Sequence, residues 1–99
     1  MDRSIFSWEL FDKMPVVGII RNLTVADINF VLPIYKQAGF TTIEITLNTP
    51  EALSVISSLA LEYKGELNVG AGTVCTMDDL TAAITAGANF IVTPIFKAE

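Results

Sequence analysis

The chain has 99 residues, a net charge of −5 and no histidine, so it has room for one modest core and lacks the usual general base, most zinc sites and every Ser-His or Cys-His pair. Six scattered cations cannot build the concentrated basic surface that polyanions require, which excludes nucleic acid as a partner. The apolar share of 52% is high and the charged share of 17% low against the usual ~45–50% and ~25%, which predicts strands buried on both faces, or surface buried against another copy or a missing segment.

Met1 to Lys13 interleaves Asp2, Arg3, Glu9, Asp12 and Lys13 with Ile5, Phe6, Trp8, Leu10 and Phe11. It reads as an amphipathic helix over about Ser4 to Lys13, without the basic start and unbroken apolar run of a signal peptide. No stretch reaches the ~18 apolar residues of a membrane span, so no membrane is expected and a cytoplasmic location is predicted. Val16–Ile20 (VVGII) reads as the first strand, with Arg21 directly after it. In parallel α/β folds ligands collect at that carboxyl edge, where a guanidinium can hold a carboxylate or phosphate; the plainer alternative is a surface arginine.

Thr24, followed three residues later by Asp27, is predicted to cap a helix that Gly39 stops and that Pro33 kinks or shifts. Thr42–Leu47 (TIEITL) is the second strand. Alternation sends Ile43, Ile45 and Leu47 to one face and Thr42, Glu44 and Thr46 to the other. A buried carboxylate is costly, so Glu44 is expected either to be satisfied by partners, such as Arg21 or a lysine on a neighbouring strand end, or to have a raised pKa that suits proton transfer near neutrality.

Thr49-Pro50-Glu51 predicts the next helix start, with Thr49 as cap. Leu67–Val74 (LNVGAGTV) is the third strand, its small residues admitting a ligand, a neighbouring chain or a closely packed helix. It is neither a dinucleotide fingerprint nor a Walker loop. Thr76 with Asp79 caps a helix that Gly87 ends, and Phe90–Pro94 is the fourth strand. Cys75, the lone cysteine, rules out an intrachain disulfide and reads as a small apolar filler.

The order α-β-α-β-α-β-α-β, with strands starting about two dozen residues apart, predicts parallel βα repeat units with right-handed crossovers. Residues 1–99 would form a single partial domain. Two architectures fit: half of a (β/α)₈ barrel with an extra N-terminal helix, or a small doubly wound sheet.

Taken together, PVVGIIR, AGFTTIEITLNTP, VGAGTV and AGANFIVTP resemble the first half of the class I 2-keto-3-deoxy-6-phosphogluconate / 4-hydroxy-2-oxoglutarate aldolases, from about Met14 to Pro94. The resemblance implies a TIM barrel, generally trimeric, that cleaves a keto-acid to pyruvate and an aldehyde through a lysine Schiff base, with no cofactor and no metal. It implies Glu44 as proton shuttle, Arg21 as a binder of the substrate's anionic groups, Thr73 near the pyruvyl carboxylate, and Pro94 closing strand four beside the site. Asn48 departs from the arginine of many members. The Schiff-base lysine belongs to a sixth strand, so none is assigned here: Lys13, Lys36 and Lys64 fall on or near helices, and Lys97 follows strand four. The competing expectation is a catalytically inactive half-barrel that acts in assembly or ligand binding, pairing with a second half or forming a homo-oligomer.

Overall fold

A computed structural model of the protein describes residues 5–93. In chain order the elements are α1 (Trp8–Lys13), β1 (Gly18–Ile20), α2 (Val25–Gln37), β2 (Thr42–Thr46), α3 (Ala52–Glu62), β3 (Asn68–Gly72), α4 (Met77–Ala86) and β4 (Phe90–Ile91). The strands form one parallel sheet in the order β1-β2-β3-β4. That order never reverses, so successive right-handed crossovers put α2, α3 and α4 on the same side of the sheet. A doubly wound sheet needs a reversal; this is the singly wound half-barrel arrangement.

The core lies between sheet and helices. Ile20, Ile43, Ile45, Val69 and Ala71 meet Ile28 and Leu32 of α2, Val55, Ile56 and Leu59 of α3, and Ala83 of α4. Alternation in β2 is realised as read, with Ile43 and Ile45 on the helix side. Every residue of β2 and β3 is buried, while the outer strand β1 leaves Ile19 59% exposed.

Helix starts follow local capping in two cases. Thr24 Oγ1 accepts from Asp27 N at 3.1 Å, and Thr76 Oγ1 accepts from Asp79 N at 3.0 Å, while Asp79 Oδ2 accepts from Cys75 N at 3.3 Å. α2 runs through Pro33 without a shifted start.

Two other starts depart from the reading. α1 begins at Trp8, not near Ser4, because Ser7 caps it: Ser7 Oγ accepts from Leu10 N at 3.2 Å. α3 begins at Ala52, preceded by Glu51 in the left-handed region at φ 55, with no side-chain cap. Thr49 is not that cap, because its hydroxyl is drawn into long-range contacts with β1. The strands are also shorter than the apolar runs that announced them, since pairing stops where the chain turns into each loop.

The N-terminal segment closes one end of the sheet's inner face. Asn68 Oδ1 accepts from Ser7 N at 2.7 Å, and Asn68 Nδ2 donates to Ser7 O at 2.9 Å and to Thr42 Oγ1 at 3.3 Å. Thr41 Oγ1 donates to Leu10 O, and the Phe6 ring meets Phe90 edge-on, with centroids 5.7 Å apart. On the helix side, Tyr35 ties β1 to β2: its hydroxyl accepts from Gly18 N at 3.0 Å and donates to Thr42 O.

Candidate active site

Glu44 sits at the centre of β2, directly across from Ile19 of β1 and Gly70 of β3. It is only 6% exposed and faces away from the helices, as alternation requires. Burial raises its pKa above the usual carboxylate value, and the charge of Arg21 partly offsets the rise. Arg21 is exposed at the end of β1. It influences Glu44 through space without an ion pair; the ion pair among the described residues is Lys36–Glu66, at 2.8 Å on the surface. Of the two expectations for Glu44, the structure favours the raised pKa over neutralisation by a bonded cation.

The glycines of β3 line the same inner face. Gly70 and Gly72 are the register partners of Glu44 and Thr46, so their bare faces point away from the helices, and close helix packing does not explain them. A Cβ on Gly70 would stand 2.3 Å from Cζ of the Phe90 ring. The side chains that approach β3 come from neighbouring strands. Small residues at two-residue spacing signalled the close approach; only the register reveals what approaches.

A hydroxyl cluster holds the carboxyl ends of β1 and β2 together. Thr46 Oγ1 lies 2.6 Å from Asn48 Oδ1, 3.0 Å from Thr49 Oγ1 and 3.3 Å from the Ile20 carbonyl. Thr49 Oγ1 also accepts from Asn22 N at 3.0 Å. The sequence reading passed over this cluster, because its members lie up to 29 residues apart.

Backbone strain is concentrated at this edge. Among the described residues, three non-glycines adopt positive φ: Asn22 (60°) after β1, Glu51 (55°) before α3 and Thr73 (56°) after β3. At the opposite, helix-to-strand turns the positive-φ residues are Gly39, Gly65 and Gly87. For Thr73, whose branched side chain fits the left-handed region poorly, the conformation is an outlier, and such strain concentrates at functional sites. Thr73 is half-buried, and its carbonyl accepts from Cys75 Sγ at 3.6 Å. Cys75 itself is exposed, so it is not the apolar filler expected.

Glu44 thus comes from the middle of β2, and Arg21 and Thr73 from the positions directly after the adjacent strands β1 and β3. Pro94 and Lys97 lie outside the described residues. Lys13, Lys36 and Lys64 fall at or just past helix C-termini, which topology places at the other end of the sheet from Arg21 and Thr73. A groove of about 320 Å³ lined by Leu47, Thr49, Glu51, Ala52, Leu53, Ser54, Asp79 and Ala82 lies on the helix side and does not include Glu44. Among the described residues no group of three or more His, Cys, Asp or Glu side chains is placed to hold a metal ion, and no helix is long and apolar enough to cross a membrane.

The sequence model of the KDPG and KHG aldolases matches residues 9–99, and the chain belongs to that family. It is 41% identical over 81 residues to the 2-dehydro-3-deoxy-phosphogluconate aldolase of Pseudomonas aeruginosa, a match covering 82% of this chain and 35% of the relative. It is 33% identical over 93 residues to the enzyme of the same description from Pseudoalteromonas atlantica, covering 91% and 41%. The crystal structure of KDPG aldolase from Legionella pneumophila, with pyruvate captured at low pH as a covalent carbinolamine intermediate, superposes with a TM-score of 0.79 at 28% identity, covering 91% of this chain and 43% of that one. The chain therefore spans about two-fifths of the length of the relatives it matches, and corresponds to their N-terminal half-barrel.

Proposed function

We propose that the chain, as a member of this family, supplies the proton-carrying half of an aldolase barrel, in which a 2-keto-4-hydroxy acid is cleaved to pyruvate and an aldehyde. The observation that carries the reading is Glu44: a carboxyl 6% exposed, raised by burial, on the inward face of a parallel strand. A carboxyl tuned upward takes and returns protons near neutral pH.

The chemistry calls for such a group twice. With the keto-acid held as an imine, a base removes the C4 hydroxyl proton as the C3–C4 bond breaks, the aldehyde forms and the bond's electron pair passes toward the imine nitrogen. The resulting enamine must then be protonated at C3, which gives the imine of pyruvate, and water hydrolyses that imine to free pyruvate and the amine. Glu44 takes the first proton and returns one in the second step. The amine is the lysine that the family resemblance places on a sixth strand. The carbinolamine in the Legionella pneumophila relative supports that amine–carbonyl chemistry.

Arg21 binds the anionic groups of the substrate, and Thr73 lies near the pyruvyl carboxylate. A cytoplasmic setting, with a small keto-acid as partner and no nucleic acid or membrane, completes the reading.

A second reading is a silent half-barrel that pairs with another half. It draws on the outer edges of β1 and β4, which no strand among the described residues covers, and on Ile19. Borohydride reduction in the presence of pyruvate separates the two. An adduct on a lysine of the assembled barrel, with Glu44→Gln lowering pyruvate release by orders of magnitude in a folded protein, supports the aldolase. Unchanged turnover refutes the role of Glu44. Absence of any adduct, in a chain that runs as a dimer, supports the half-barrel.

A further inference from the structure

The β3 residues that face the same way as Glu44 are Asn68, Gly70 and Gly72. A Cβ placed on Gly72 would stand 1.8 Å from Glu44 Oε2, 2.5 Å from Cδ and 2.8 Å from Cγ. The carboxyl group therefore rests directly on the α-carbon of Gly72. Register explains how it gets there: Glu44 is opposite Gly70, so reaching Gly72 takes one diagonal step toward the carboxyl edge of the sheet. The space in front of Gly70 is taken, since Phe90 ring atoms lie 2.3 to 2.4 Å from where a Cβ would be.

Neither glycine is among the positive-φ residues, so no backbone conformation demands it. Mid-strand glycine weakens a strand, and two in five residues of β3 need a reason. Space supplies it at both positions: Gly70 admits the Phe90 ring, and Gly72 admits the carboxyl.

We propose that Gly72 is a positioning residue for Glu44: its bare α-carbon is the seat that holds the carboxyl inside the half-barrel and aims it at the carboxyl edge, where substrate is handled. The functional meaning rests on the aldolase reading, while the seat itself is a property of the packing. Any side chain at residue 72 expels the carboxyl toward water.

The test is a double-mutant cycle on the 99-residue chain, Gly72→Ala with and without Glu44→Ala, together with a carbon-13 NMR titration of the Glu44 carboxyl. Gly72→Ala is expected to lower the Glu44 titration midpoint toward the ordinary carboxylate range and to lower the denaturant midpoint. In the Glu44→Ala background the same change is expected to leave the denaturant midpoint unchanged or raise it, because the space is then free. Should Gly72→Ala alone fail to fold, the double variant is expected to fold again. An unmoved Glu44 titration, or equal loss in both backgrounds, including a double variant that also fails to fold, overturns the proposal. The outcome is separable from the proton-carrying role: coupling with unchanged turnover in Glu44→Gln keeps the seat and removes the shuttle, and the converse result does the opposite.

Discussion

Replacing Asn68 by alanine is expected to cost about 3 kcal/mol and to release α1 ahead of the rest of the fold. Asn68 is 1% exposed and grips the Ser7 peptide from both sides, at 2.7 and 2.9 Å, with a weaker reach to Thr42 Oγ1 at 3.3 Å. A net hydrogen bond contributes about 1 kcal/mol, and a buried group left without its partner costs about 1–3 kcal/mol. Two good bonds, plus a Thr42 hydroxyl that is 0% exposed and loses its neighbour, give about 3 kcal/mol of a total that for small domains is about 5–15 kcal/mol. α1 is six residues long with none buried, too short to persist once undocked. Urea denaturation gives the total cost, and amide exchange at Leu10 and Phe11 locates it. Asn68→Asp keeps the acceptor for Ser7 N but turns a carboxylate toward Ser7 O, and is expected to cost more than alanine at neutral pH. A loss below about 1 kcal/mol for Asn68→Ala, which a water-replaced contact would give, or unchanged exchange in α1, refutes the reasoning.

Glu44 makes a further expectation about pH. Its pKa in the folded chain is raised above the ordinary 4.5, so the folded state holds the proton where the unfolded chain has already lost it. That contribution to stability is fully present below the unfolded pKa and is lost as pH rises through the folded one. Glu44→Gln is therefore expected to be more stable than the parent at neutral pH, with the gap closing on acidification; a gap of constant size across the urea midpoints would contradict the burial argument. Thr73→Gly removes left-handed strain of about 1–2 kcal/mol and adds unfolded-chain freedom of about 0.4–1 kcal/mol. A net gain between zero and about 1.5 kcal/mol is expected in thermal or urea unfolding, and a clear loss would show that the Thr73 side chain stabilises the fold by contacts.

Short-range patterns were the legible part. Alternation in TIEIT placed Ile43 and Ile45 on the helices and Glu44 on the inner face, because side-chain direction in a strand depends on nothing beyond the strand. Thr24 and Thr76 capped as read, since the donor lies three residues away in each case. Thr49 has an equally local signature, a hydroxyl followed by Pro50 and Glu51, yet its hydroxyl bonds Asn22 N and neighbours Thr46 Oγ1. Those partners exist only once β1 and β2 are paired, so the signature was local and the competition was not. The same holds for the glycines of NVGAGTV: sequence shows that something comes close, and only register shows that it is Phe90 and Glu44. The aldolase assignment came from motif order, which no local rule supplies.

The contrast between the two ends of the sheet has a consequence for how the protein can vary. At Gly39, Gly65 and Gly87 any side chain imposes a conformational penalty, so selection for stability alone keeps glycine there. At Asn22, Glu51 and Thr73 the same selection drifts toward glycine. A mutational library sorted for stability and one sorted for turnover should agree at the first three positions and part company at the second three. That divergence would test, without a ligand ever being bound, whether the edge carrying these three residues is the one at which the proposed reaction is run.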